Sequence, residues 1–309
     1  MHIPVLKNEV IAALNIKEGG TYIDLTLGGA GHSRLICDGL KKGTFIGFDQ
    51  DPEAIQRAQV LKDYPGIDVH LMHANFADFK EHLEALGIKK IDGALIDLGV
   101  SSFQLDEAER GFSYRFEGPL DMRMDPTQEI TAATMVNTYD EKTLKDILYR
   151  YGEERFAPQI VKAIIKARTE KPITTTLELV DIIKSALPMK KLSQKGHPAK
   201  QTFQAIRMAV NQELKVLEDT LSSISPLLNL HGRLVILTFH SLEDRIVKNA
   251  MKKASQIDHP EGLVTMPDKT ADFHVITKKP VLPTQEELDM NPRSKSAKMR
   301  VLERIKEEF

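Results

Sequence analysis

The fold turns on one stretch, Tyr22-Ile-Asp-Leu-Thr-Leu-Gly-Gly-Ala-Gly-His-Ser-Arg-Leu-Ile-Cys-Asp-Gly-Leu40. Its first part, 22–27, is a short apolar run rich in β-forming residues. The run stops at Gly28-Gly29-Ala30-Gly31, and 33–40 has helical spacing. Strand, glycine turn and helix together make the first half of a βαβ unit. The pattern repeats downstream. A second apolar run, 44–48, ends at Asp49, and Asp51-Pro52-Glu53 opens a helix with Asp51 as N-cap and Pro52 at the first helical position. Runs at 69–72 and 93–98 flank a helical pattern at 80–86. Strands covered on both faces read as continuous apolar runs, so these residues predict a parallel, doubly wound α/β sheet.

The pattern changes after Asp97. Residues 105–125 form a loop rich in charge, Gly and Pro, followed by helical segments at 141–151, 154–168, 177–187 and 199–228, the last broken near Leu214 and Pro226. Strand character returns at 233–239, where Ser241-Leu242-Glu243-Asp244 looks like a capping box led by Ser241. The economical organisation is one α/β domain made of 1–104 and 215–309, interrupted by a helical domain at 105–214. At 309 residues, with 41% hydrophobic and 28% charged composition, the chain can bury two cores.

Charge follows the same partition. The net charge is −2, which excludes a uniformly basic coat. Residues 141–215 nevertheless hold 15 Lys and Arg against 8 Asp and Glu. Lys184, Lys190, Lys191, Lys195, Lys200 and Arg207 lie in a stretch with no carboxylate between Asp181 and Glu213. Such a block attracts a polyanion, RNA or DNA, although a solvated helix face is the ordinary reading of a charge run. The single cysteine, Cys37, cannot form an internal disulfide, an iron–sulfur site or a Cys-rich zinc site. The ten histidines show no metal-ligand spacing, so no metal is expected. No apolar stretch approaches a membrane span and the first residues lack a signal-peptide core, so a cytoplasmic protein is expected.

The glycine turn narrows the ligand. Gly28, Gly29 and Gly31 let backbone approach a nucleotide, and Asp49, about 20 residues on, is placed to accept both ribose hydroxyls. The dinucleotide fingerprint G-x-G-x-x-G fails, because Arg34 takes the third glycine position when counted from Gly29. A G-x-x-x-x-G-K-[ST] loop is also missing. A nucleoside cofactor without a pyrophosphate fits better, and S-adenosylmethionine (SAM) leads.

At this point the residues resemble a known family. Asp24-Leu-Thr-Leu-Gly-Gly-Ala-Gly-His-Ser33, Asp97-Leu-Gly-Val-Ser-Ser-Phe-Gln-Leu-Asp106, Arg110-Gly-Phe-Ser113, Asp121-Met-Arg-Met124, His197-Pro-Ala199, Thr202-Phe-Gln-Ala-Ile-Arg207, Val210-Asn-Gln-Glu-Leu214, Phe239-His-Ser-Leu-Glu-Asp-Arg245 and Asn291-Pro-Arg-Ser294 are similar, in order, to the RsmH/MraW family. Gln201 stands where that family often has Arg, and His231 precedes Gly232 where it often has Gly. The resemblance implies a class I SAM-dependent methyltransferase sheet with a helical substrate insert. It implies methylation of cytosine N4 in bacterial 16S ribosomal RNA, within the small subunit. It implies that Ala30, Gly31 and His32 line the methionine end of SAM and Asp49 the ribose. Phe76 would then lie near adenine, with Asp97 and Gln104 completing the pocket.

The chemistry points the same way. Methylation at cytosine C5 needs a thiolate to activate the ring, and Cys37 falls inside the helix after the turn. Direct transfer to an amine remains, with Asp97 or a neighbouring carbonyl accepting from N4 or orienting SAM. Arg110, Arg115 and Arg123 are phosphate candidates, and Phe112 or Tyr114 could stack an extruded base; a packed structural loop is an equal reading. His197, Lys200, Arg207, Arg293, Lys295, Lys298 and Arg300 are weaker RNA candidates, and His240 with Glu243-Asp244 faces the same sheet edge. Other readings stay open: a methyltransferase acting on DNA or protein, a non-enzymatic RNA-binding assembly factor, and, less well, a nicotinamide oxidoreductase.

Overall fold

The structure is a computed structural model and describes residues 3–256 and 271–307. The chain divides into two compact units, Met1–Gly99 with Lys215–Phe309, and Val100–Leu214. The first crossing lies earlier than the one the sequence suggested at Gln104. The cause is local: Val100 and Leu105 pack on the apolar core of the second unit.

The first unit is built on a seven-stranded sheet. Its strands are β1 (Thr21–Asp24), β2 (Gly43–Asp49), β3 (Ile67–His73), β4 (Ile91–Asp97), β5 (Leu228–Thr238), β6 (Phe273–Val275) and β7 (Lys298–Arg304), in the order β3-β2-β1-β4-β5-β7-β6. The first five are parallel, while β7 pairs antiparallel with β5 and β6. Strand order reverses between β1 and β4, and the crevice outside the carboxyl ends of strands at such a switch point is where α/β sheets bind ligands.

Alternation along each strand divides the core between the two faces. Tyr22, Phe45, Leu95, Val235 and Val301 are buried with residues of α1 (Lys7–Leu14) and α2 (Gly31–Leu40). Ile23, Ile46, Ala94, Ile96, Leu234 and Ile236 are buried on the other side. Leu83 of α4 (Phe79–Ala85) joins them there, with residues of helices that follow the insert. Helix α2 buries Ser33, Ile36, Cys37 and Leu40, the i, i+3, i+4, i+7 stripe expected of a helix laid on a sheet. The helix α3 (Pro52–Ala58) starts as the sequence suggested, Asp51 accepting from the Glu53 amide with Pro52 in the first turn.

The second unit is helical. It contains α5 (Ser102–Asp106), α6 (Ala132–Thr138), α7 (Glu141–Gly152), α8 (Ala157–Glu170), α9 (Thr176–Ala186), α10 (Met189–Leu192) and α11 (Lys200–Val210) around one apolar core. Helix α12 (Glu213–Ile224) begins at its end and continues into the first unit, which also holds α13 (Ser241–Ala254) and α14 (Gln285–Met290). The sequence suggested a helical stretch over 199–228 broken near Leu214 and Pro226; the first break lies at Asn211-Gln212, where Gln212 is left-handed (φ 50°), and α12 ends at Ile224, just ahead of Pro226. Among the described residues no helix is long and apolar enough to cross a membrane.

One cap differs from the reading above. The N-cap of α13 is His240, whose ring accepts from the Glu243 amide (3.4 Å), while Glu243 Oε2 accepts from the Phe239 amide (2.8 Å). Ser241 is the first helical residue. Asp244, expected to close the box, instead pairs with Arg300 (2.7 Å) and Lys298 (3.3 Å) of β7. The sequence could not show this, because the cations arrive from a distant antiparallel strand.

Candidate functional site

Three strand ends of the first unit deliver the candidate residues: β1 the glycine turn, β2 Asp49 and β4 Asp97. Leaving β1, the chain must turn sharply into α2. Gly28 (φ 49°) supplies one left-handed residue and Ala30 (φ 56°) a second, which is a strained conformation for a residue with a Cβ. The buried Ala30 amide donates to Leu27 O at 2.6 Å, closing the turn.

Asp49 holds that turn in place. Its Oδ2 accepts from the Gly28 amide (2.8 Å) and its Oδ1 from the Asp51 amide (2.9 Å). Each oxygen keeps a lone pair for a further donor. Burial pushes its carboxyl up to about 6, against the pull of the two backbone donors, with Asp51 and Asp24 adding repulsion.

Asp97 is tied from two sides. Its amide donates to Thr26 Oγ1 (2.6 Å), and its Oδ2 lies 3.4 Å from His32 Nδ1. The Oδ1 atom is sealed from solvent and has no hydrogen-bond partner. A buried acceptor without a donor is costly, which makes this atom a candidate partner for a ligand donor. His32, buried in α2, also places Nε2 2.8 Å from Val5 O. Burial works against its charged form, yet Asp97, Asp24 and the Val5 carbonyl together hold its pKa above the ordinary value.

Sequence reasoning named Asp24 only as part of a motif, and its role is structural support. Fully buried, it accepts from Ser33 Oγ (2.6 Å) and the Thr26 amide (3.0 Å). It thus braces the start of α2 and the residue that holds Asp97. Burial raises its pKa. An acidic residue closing the first strand was the available signal.

Phe76 follows β3 in a 3-10 turn capped by Asn75, whose Nδ2 donates to Gln50 Oε1 (3.2 Å), next to Asp49. Its ring packs on the sheet core and is partly exposed. Gln104 belongs to the second unit, where it is buried and closes a capping box with Ser101 at the start of α5. Its side-chain amide oxygen is therefore already engaged, by the Ser101 N–H at 3.0 Å.

Carboxylates of Asp24, Asp49, Asp51 and Asp97 surround the turn; beyond burial, the charge of Asp97 adds to the rise at Asp24, and those of Asp51 and Asp24 to the rise at Asp49. A cationic ligand relieves that repulsion. SAM carries a sulfonium and an ammonium, so the carboxylate acceptors and the orphaned Oδ1 fit it. Among the described residues no group of three or more His, Cys, Asp and Glu is placed to hold a metal ion.

In the second unit several expected RNA contacts are internal. Arg123 forms a two-bond pair with Asp121 (2.7 Å each) and donates to Pro126 O and Gln128 O. Arg110 donates to the carbonyls of Arg123 and Met124, and Phe112 is core. Arg207 is paired through both forks with Glu213 (2.7 and 2.8 Å). In the first unit Arg300 is buried against Asp244. His197 stacks on Tyr114 at 4.3 Å, occupying one ring face. What remains is cationic surface. Lys184, Lys190, Lys195 and Lys200 are exposed, and a cavity of about 430 Å³ is lined by Glu154, Arg155, Phe156, Lys190, Lys191 and Gln201 among others.

Known proteins are similar to this chain over nearly its whole length. A protein of Clostridioides difficile (strain 630), "Ribosomal RNA small subunit methyltransferase H", is 53% identical, over 98% of this chain and 99% of that protein. Proteins of the same name from Lactobacillus delbrueckii subsp. bulgaricus (strain ATCC BAA-365 / Lb-18) and Streptococcus pyogenes serotype M4 (strain MGAS10750) are each 49% identical. The first match covers 98% of this chain and 99% of its relative, the second 99% and 98%. The profile of the MraW methylase family matches residues 1–305, and with it the chain belongs to that family.

Proposed function

We propose that the chain transfers a methyl group from SAM to N4 of a cytidine in 16S ribosomal RNA of the small ribosomal subunit. Family membership and relatives named for small-subunit ribosomal RNA methylation support the reaction class and the RNA. The observation that carries the site is the orphaned Oδ1 of Asp97 at the switch point of the sheet.

Bound SAM supplies an electrophilic methyl group on sulfonium. Asp49 accepts the ribose hydroxyls with the lone pairs its backbone donors leave open. Phe76 shelves the adenine. Asp97 Oδ1 accepts an N–H, either from the methionine ammonium or from the cytosine amine. The amine lone pair is delocalised into the ring, so rate comes from holding N4 on line with the methyl carbon. Attack at C5 is disfavoured by the only thiol: Cys37 is buried in α2 and pushed up to about 12, chiefly by burial. The lysine-rich surface of the second unit docks the polyanion.

The test is incubation with labelled SAM and small ribosomal subunits lacking the modification, followed by mass spectrometry of digested nucleosides. Labelled N4-methylcytidine is expected. Label in another nucleoside, or none, refutes the assignment. Running naked 16S RNA in parallel tells whether the assembled particle is the substrate.

A further inference from the structure

Residues 3–6 form a short arm ahead of α1 that lies on the glycine turn. Pro4 packs so closely on Gly31 that a Cβ there would sit 2.5 Å from Pro4 Cγ. The next residue, Val5, turns its carbonyl to His32 Nε2 at 2.8 Å. Leu6 is fully buried and left-handed (φ 50°), a conformation that a leucine keeps only when held. Two side chains from the far end of the sequence hold it. Glu287 of α14 accepts the Leu6 amide through Oε1 (2.7 Å), and Asn291, just after α14, donates through Nδ2 to Ile3 O (3.1 Å). The arm is clamped at both ends, and its middle bears on the turn.

A carbonyl can only accept, so Nε2 facing Val5 O must carry a proton. The other nitrogen faces the Asp97 carboxylate at 3.4 Å and can donate to it only in the doubly protonated imidazolium, the form that Asp97, Asp24 and Val5 O favour against burial. With both ring nitrogens committed, the imidazole is fixed in rotation and presents Asp97 with Oδ2 engaged and Oδ1 open. We propose that Glu287 and Asn291 are positioning residues for the methionine end of SAM: by clamping the N-terminal arm they hold His32, and through it Asp97. This gives the Asn291-Pro-Arg-Ser294 segment a role in the cofactor site without touching the cofactor. The inference rests on the reading above that the glycine turn takes the methionine end and Asp49 the ribose.

The experiment measures affinity by calorimetry for two ligands, SAM and 5′-methylthioadenosine, which keeps the nucleoside and lacks the amino-acid part. The proteins are the parent, the double variant Glu287→Ala/Asn291→Ala, Glu287→Gln and Asp49→Ala. Expected is a roughly tenfold loss of SAM affinity in the double variant, with 5′-methylthioadenosine within twofold of the parent. Glu287→Gln keeps a carbonyl acceptor for the Leu6 amide and should bind both ligands like the parent. The inference is overturned if the double variant binds SAM within twofold of the parent. It is equally overturned if both ligands weaken together, or if Glu287→Gln falls as far as the alanine change. Should the double variant not fold, Glu287→Ala alone is read by the same criteria. Asp49→Ala separates the two levels: unchanged affinity for both ligands there refutes the site itself, whereas loss there with intact clamp variants refutes only the clamp.

Discussion

At the residue scale, Asp49 carries a conflict between binding and stability. Its carboxyl titrates at about 6 in the fold and at 3.8 in a free chain, because burial disfavours the charge. A raised acid stabilises the fold fully below its unfolded value. That contribution is lost as pH rises from about 3.8 through about 6, so at neutral pH the ionised group weakens the ligand-free protein. The melting temperature of the ligand-free parent should therefore fall as pH rises through about 6; Asp49→Asn, which cannot titrate and accepts only one of the two backbone amides, should remove that pH dependence. The same change should weaken SAM at least ~10-fold, since a charge-assisted hydrogen bond contributes ~1.5–3 kcal/mol. In the parent, SAM affinity should fall as pH drops through about 6, when the acceptor protonates. Calorimetry across pH 5–8 checks both signs. Asp97→Ala should lower turnover far more than RNA affinity; a comparable fall in RNA binding would place Asp97 in substrate docking instead.

Among the elements, the break between α11 and α12 ties two motifs together. Asn211, nearly fully buried, accepts the Met124 amide (2.8 Å) and donates to Met122 O (2.8 Å) and Arg207 O (2.9 Å). It ties the segment 121–124 to the end of α11, while Arg207 and Glu213 bridge the break. Each buried partner left unpaired costs about 1–3 kcal/mol, so Asn211→Ala should destabilise the second unit by about 2–4 kcal/mol, seen as a lower denaturant midpoint. An unchanged midpoint would show that water replaces the amide. Much here was illegible in sequence. Arg123 and Arg110 look like phosphate ligands until the carbonyls around them are known, and Ser241 looks like the cap until His240 proves closer to Glu243.

For the whole molecule, the dominant feature is charge separation in the chain. Residues 141–215 carry an excess of seven positive charges, and the rest is acidic. RNA binding should therefore weaken steeply with salt. Replacing Lys184, Lys190, Lys195 and Lys200 by Gln should flatten the log–log slope by roughly 0.7 to 0.9 for every phosphate no longer neutralised, while SAM affinity stays unchanged. A slope equal to the parent's would move the RNA surface elsewhere.

The parallel strands, their order of appearance, and the acidic residues closing β2 and β4 are legible along the chain. Strands buried on both faces must be apolar throughout, and a nucleotide turn must be small, so these signals are local. The insertion of a helical segment was also legible, as a change of period and of charge. Folding settled which polar groups are occupied. It joined residues 3–6 to Glu287 and Asn291, placed antiparallel β7 between β5 and β6, and left one oxygen of Asp97 without a donor. Those outcomes depend on pairs of residues tens to hundreds of positions apart, whose meeting is fixed by how the apolar surfaces pack and by nothing within reach of either residue along the chain.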